Sequence, residues 1–350
     1  MSLYQEIQEQ PAIIRAGLAQ NQAVMAAIAA AVPAAGLTHV VVAARGTSDN
    51  AARYANYLWG AANQLPVTLA TPSLFSLYGQ PPRLRDSLVI GISQSGESPD
   101  IVGVLAEGRR QGQPTVAITN APHSPLAQAA DFVVDIRAGV ETAVAATKSY
   151  TAQLLAIAML SVAWRPDGAQ ARAQAQAELA ALPDQIAALL SLDEQIAQFA
   201  TRYRYMQQCV VLGRGYNYAT AFEWALKIKE LAYVVAEPYS SADFRHGPIA
   251  IVEPGFPVLA VAPSGSVQAD MVALLNRLRA ERGAELLVIS DEAALLATAV
   301  APIPIPAGLP EWLSPLAYIV PAQLFCYHLT RLKGYDPESP RGLRKITRTE

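Results

Sequence analysis

Short, almost wholly apolar runs alternate along this chain with longer stretches in which apolar residues recur at helical spacing. "HVVVAA" (39–44) precedes the helix-like "SDNAARYANYLWGAA", and "SLVIGIS" (87–93) precedes "SPDIVGVLAEGRRQG". "PTVAIT" (114–119) and "DFVVDI" (131–136) continue the series. A strand that is apolar on both sides needs both faces covered. Strands of that kind separated by helices predict an α/β fold, a parallel sheet between two helical layers.

The pattern then occurs a second time. "VVAARGTSDNAA" (41–52) is echoed by "VVLGRGYNYATA" (210–221), and "VIGISQSGES" (89–98) by "VLAVAPSGSV" (258–267). Gly46 and Gly215 are 169 positions apart, and so are Gly96 and Gly265. One offset at two independent anchors predicts an internal duplication, with two three-layer αβα domains of similar design. Between them, residues 169–204 are rich in Ala and Gln and predict helices, broken at Pro183. The polar stretch after Lys333 carries turn signals and is too short for a domain, so it either frays or lies across something. The expected division is 1–168 for the first domain, 169–334 for the linker helices and second domain, and 335–350 for a C-terminal tail.

Composition narrows the function classes. Of 350 residues, 52% are hydrophobic and 16% charged, enough for a large core and about two domains. A net charge of −3 gives no electrostatic footprint for nucleic acid. "MSLYQEIQEQ" lacks the pattern of a signal peptide, and the most apolar windows fall well short of the ~18 residues of a membrane span. Cys209 and Cys326 lie in apolar context without metal-ligand spacing and read as core thiols. The expectation is a cytoplasmic protein with no metal or redox cofactor and no nucleic-acid or membrane partner.

The run Leu88–Ile92 ends abruptly in Ser93, Gln94, Ser95, Gly96, Glu97 and Ser98. Ligands of open α/β sheets bind outside the carboxyl ends of the strands, where this cluster falls. Ser98 suits an N-cap, Pro99 the first helical position and Asp100 the first turn. Hydroxyls and amides at a helix N-terminus can hold a phosphate without a lysine, although an ordinary capped turn has the same residues. Arg45-Gly46-Thr47-Ser48 forms a similar turn after the first strand.

A second candidate lies in "AFEWALKIKELAYV" (221–234). Glu223, Lys227 and Glu230 are spaced i, i+4, i+7 and share one face of a helix that is otherwise mostly apolar. Such a narrow stripe is a buried ion-pair network, the lining of a cleft, or a solvated row of salt bridges. A carboxylate beside a lysine in a dry cleft is a natural general base. Downstream, His246 stands in an Arg-His-Gly-Pro turn, a backbone-positioned histidine suited to proton transfer. His39, His123 and His328 show no partner pattern.

Together, "SQSGES", "VAATKSYTAQ", "LGRG" with "FEWALKIKELAYVVAEPY", "RHGP" and the terminal "PRGLRKITRTE" resemble the sugar isomerase (SIS) family. The resemblance covers nearly the whole chain and is nearest to the isomerase half of glucosamine-6-phosphate synthase and to glucosamine-6-phosphate deaminases. It implies two tandem SIS domains. It implies that Ser93, Gln94, Ser95 and Ser98 hold a sugar phosphate, with Thr47, Ser48 and Ala145 near the sugar. It implies that Glu230 moves a proton between C1 and C2, with Lys227 and Glu223 as charged neighbours. His246 would open the sugar ring, often from the partner subunit of a homodimer, and Lys345 would be the tail lysine that reaches the open-chain sugar.

Two positions depart from the synthase pattern: Ala146 stands where serine is usual, and Arg344 replaces a small residue beside Lys345. The first strand is reached within about forty residues of the start, and the expectation is a protein without a glutaminase domain. The reaction expected is glucosamine 6-phosphate to fructose 6-phosphate plus ammonia, without cofactor. A fructosamine 6-phosphate deglycase, an aldose–ketose phosphosugar isomerase and a phosphosugar-binding regulator are the alternatives.

Overall fold

The computed structural model describes residues 2–345. Two compact units divide them. The earlier comprises 9–141, 148–183 and 344–345, and the later 2–8, 142–147 and 184–343.

The earlier unit holds β1 (His39–Ala43), β2 (Val67–Leu69), β3 (Ser87–Ser93), β4 (Thr115–Thr119) and β5 (Phe132–Asp135) in the order β2-β1-β3-β4-β5. The later unit holds β6 (Gln208–Gly213), β7 (Val235–Ser240), β8 (Pro257–Val261), β9 (Glu285–Ser290) and β10 (Ala301–Pro304) in the order β10-β9-β8-β6-β7. Every pair is parallel. Numbered within its own unit, each sheet has the same doubly wound order, so the duplication seen in the sequence is a duplication of topology. Strands β3 and β8 are buried at every position, which is why both lack polar alternation. In each sheet the strand order reverses between β1 and β3 and between β6 and β8, and ligands of such sheets bind at that switch point, outside the carboxyl ends of the strands.

Each unit has one helix that is apolar all round and accordingly buried: Lys148–Ala163 in the earlier, Ser314–Leu332 in the later. Trp59 Nε1 donates to the Ile157 carbonyl at 3.2 Å, and the Asn63 amide to the Ser161 carbonyl at 2.9 Å. These bonds fasten helix Gly46–Asn63, and with it the turn after β1. No helix among the described residues is long and apolar enough to cross a membrane.

The expected break at Pro183 is corrected: one helix runs Gly168–Leu190 through the proline. Pro183 removes one N–H bond, but Leu179, Leu182, Ile186 and Leu189 on either side of it are buried, and that burial outweighs the loss. Residues 142–147 group with residues 2–8 because the buried Glu6 carboxylate accepts the Ala143 N–H at 3.2 Å and the Thr142 hydroxyl at 3.1 Å. Cys209 and Cys326 are buried free thiols, and burial pushes the Cys209 thiol up to about 12.

Candidate active site

The loop after β3 is polar and tightly folded. Gly96 has φ +63°, and a Cβ built on it would lie 2.0 Å from Ser124 Oγ. The loop therefore closes only over glycine. Ser93 Oγ accepts the Gly96 N–H at 3.1 Å, and Ser95 Oγ accepts the Glu97 N–H at 3.4 Å. Ser98 stands at the N-cap of helix Pro99–Arg110 with extended backbone, but its side chain makes no capping bond. Asp100 instead accepts the Ile101 N–H at 2.9 Å. The cap expected of Ser98 is thus supplied by the next carboxylate, and the Ser98 hydroxyl keeps its donor.

Arg45, beside this loop, pairs with Asp100 at 2.9 Å, and the Asp100 side chain is fully buried. Its charge is therefore neutralised within the protein, and the loop offers an anion mainly neutral donors. Of the two residues expected near a sugar, Thr47 is half-buried at the first turn of helix Gly46–Asn63. Ser48 is buried, and its hydroxyl accepts the Gln153 side-chain N–H at 3.0 Å.

The corresponding loop of the later unit has lost these donors. Ala262, Pro263 and Val267 stand where the earlier loop has Ser93, Gln94 and Ser98. Two of its backbone amides are taken by the chain's own carboxylates: Ser264 N–H by Asp291 at 2.7 Å and Ser266 N–H by Glu311 at 2.8 Å.

The charged stripe is a buried ion-pair network. Helix Tyr218–Lys227 is followed by a π-helical turn, Ile228–Ala232, and then by Tyr233 in the left-handed region at φ +53°. Lys227, 2% exposed, lies 3.5 Å from the fully buried Glu223 and is ion-paired to Glu230, which is 23% exposed. The wider turn alters the face that i+7 spacing assigns to Glu230. One carboxylate of the network therefore reaches the surface of its unit while the other stays inside. Such turns recur at functional sites, and nothing in the apolar periodicity betrays this one. The Cys326 thiol near the pair is raised well above its ordinary value by burial, so it stays protonated beneath them.

His246 is exposed where helix Ser241–Arg245 ends, with Gly247 at φ +138° after it. Its neighbour Arg245 is ion-paired to Asp270 and donates to the Asp270 carbonyl at 2.8 Å, while Arg214 meets the same carboxylate at 2.6 Å. Desolvation raises the Asp270 carboxyl, but bonds from Ser241, Arg245 and Arg214 outweigh it and hold the group below its usual range. No spacing in the amino-acid order points to this clasp. Nor does that order show that His328 Nε2 lies 2.7 Å from Asp193.

The described tail is packed, not frayed. Arg341 lies over the Tyr233 ring at 3.8 Å and donates its N–H to the Tyr233 hydroxyl at 2.7 Å. Glu338 accepts the Leu3 N–H at 3.0 Å. Lys345 Nζ lies 2.7 Å from Glu141, and residues 346–350 lie outside the described residues. Ala145 is buried and Ala146 half-buried. Among the described residues, no group of three or more His, Cys, Asp or Glu side chains is gathered to hold a metal ion.

The SIS-domain family model matches residues 37–163 and 205–332, one match on each sheet unit. The chain belongs to the SIS family. A relative, the glutamine–fructose-6-phosphate aminotransferase of Pyrococcus horikoshii, is 34% identical over 89% of this chain. The chain spans about half (52%) of that relative's length. Among solved structures, the C-terminal domain of glucosamine-fructose-6-phosphate aminotransferase from Francisella tularensis superposes with a TM-score of 0.86 at 28% identity, covering 97% of this chain and 98% of that one. Glucosamine-6-phosphate deaminase from Thermotoga maritima, at 20% identity and a TM-score of 0.78 over 100% of both chains, shares the fold. Both SIS domains thus carry the duplicated sheet, and the hydroxyl-rich loop belongs to the first.

Proposed function

We propose that this SIS protein is an amino sugar 6-phosphate deaminase, converting glucosamine 6-phosphate and water to fructose 6-phosphate and ammonia. The observation that carries the reading is the buried Glu223–Lys227–Glu230 network with its one partly exposed carboxylate, since a protein that only senses a phosphosugar needs the anion loop and no base. In this reading Ser93, Gln94, Ser95 and Ser98 hold the phosphate. His246 opens the ring and exposes the C1 aldehyde. Glu230 removes the C2 proton, and the resulting enolamine is reprotonated at C1. The C2 imine so formed takes up water and releases ammonia. Fixing the phosphate turns the proton transfer into an oriented, effectively intramolecular step.

The deciding experiment is ammonia release and sugar-product analysis over a panel of amino sugar and fructosamine 6-phosphates. Ammonia from glucosamine 6-phosphate supports the proposal. Amine release from fructosamine 6-phosphates alone would make the protein a deglycase, sugar interconversion without nitrogen release an isomerase, and binding without turnover a regulator. Ser95→Ala and Ser98→Ala should each raise KM for the 6-phosphosugar on the order of tenfold, the loss of one hydrogen bond to a charged group. The dephosphorylated sugar should hardly be turned over. Wild-type KM in both variants would place the phosphate elsewhere.

We further propose a homodimer in which the exposed His246 serves the partner's substrate. Mixed Glu230→Gln and His246→Ala subunits should then regain activity in heterodimers, each inactive when alone. Proven subunit exchange with no recovery would put both groups to work on one chain.

A further inference from the structure

Glu141 has no part in the chemistry above, yet its surroundings are built. It lies between β5 and helix Lys148–Ala163, and its side chain is fully buried. It accepts the Ser149 N–H at 3.0 Å and the Ser149 hydroxyl at 2.7 Å, at the first turn of that helix. The positive end of the helix dipole favours a carboxylate there. Lys148, also buried, is engaged by Glu9 at 2.6 Å and by the Val140 carbonyl at 2.8 Å. Lys345, more than two hundred positions away in sequence, meets Glu141 at 2.7 Å. A buried carboxylate that loses a partner of opposite charge is strongly destabilised, so the pair is a docking point and not an incidental surface contact.

We propose that Glu141 is a positioning residue that docks Lys345 and so holds that residue in place. The docking stands on the geometry alone. Its bearing on catalysis rests on the functional reading above together with the role that the family resemblance implies for Lys345, contact with the open-chain sugar.

Glu141→Gln keeps the shape and removes the charge. Amine-directed acetylation followed by mass spectrometry should label Lys345 on the order of tenfold faster in that variant than in the wild type, because a docked amine is protected against local opening. Lys345→Met, which leaves Glu141 on Ser149, should speed tryptic cleavage after Arg344 by a similar factor. It carries the test if Glu141→Gln does not fold. Unchanged labelling in a folded Glu141→Gln protein, or unchanged cleavage in Lys345→Met, overturns the docking. With glucosamine 6-phosphate, kcat should fall in both single variants and fall no further in the double variant, and the melting temperature of Lys345→Met should fall because Glu141 stays buried without that charge partner. Faster labelling with unaltered kcat would uphold the docking and refute the catalytic role of Lys345, so the two failures are distinguishable.

Discussion

Glu230→Gln should abolish turnover of glucosamine 6-phosphate, with a loss of about 10³-fold or more, the upper part of the range for a general base. The substitution is nearly isosteric, and Lys227 keeps Glu223 at 3.5 Å, so the helix and the fold should survive. The sharper measurement is in deuterated water. The wild type should place solvent deuterium at C1 of the fructose 6-phosphate, and Glu230→Gln should place none. Residual activity within tenfold of wild type, with deuterium still entering, would move the base to another residue. Lys345→Ala should retain measurable turnover, since the proton transfer does not pass through it in the proposed reaction.

Gly96→Ala should damage the phosphate loop more than either serine variant. Two costs combine at that residue. An alanine at φ +63° costs about 1–2 kcal/mol. Its Cβ would also sit 2.0 Å from Ser124 Oγ and 2.6 Å from Ser124 Cβ, an overpacking worth about 1–3 kcal/mol. Ser124 cannot simply turn away, because its Oγ caps the short helix Pro125–Gln128 through the Ala127 N–H. The loop must move, and KM for the phosphosugar should rise by roughly 30-fold or more, from a shift of about 2 kcal/mol. Gly112→Ala supplies the control. Gly112 has φ +74° with nothing within 4 Å of the built Cβ, so it carries the backbone strain without the clash. It should lose stability by about 1 kcal/mol and leave KM alone. If the two variants behaved alike, the close approach at Gly96 would have no role in binding.

Much of this was legible because the physical signals are local. A strand buried on both faces must be apolar throughout, and β3 and β8 are. Helices that cover such a sheet must alternate with its strands, and they do. A duplicated chain keeps its glycines in register, and Gly46 with Gly215 and Gly96 with Gly265 all show positive φ in the structure. The hydroxyl cluster stood out because Ser93, Gln94, Ser95 and Ser98 interrupt so apolar a setting at a strand's end. Proline misled at Pro183, because its cost of about 3 kcal/mol is a local penalty. Burial of leucines a turn away on either side decides such a contest, and a single residue's propensity does not reveal it.

What belongs to the amino-acid order alone is therefore the two-fold repeat of a parallel α/β sheet, the hydroxyl-rich loop of the first copy, and the Glu223-Lys227-Glu230 grouping. Each follows from residues within a few positions of one another. Folding in three dimensions chose the rest. It put the cap of helix Pro99–Arg110 on Asp100 and spent Arg45 on that acid. It inserted a π-helical turn that brings Glu230 and not Glu223 to the surface of its unit. It brought Lys345 to Glu141 and Arg341 to Tyr233. Pairings between residues tens to hundreds of positions apart leave no period or spacing in a single sequence, because their partners are selected by packing and by the cost of burying an unpaired charge.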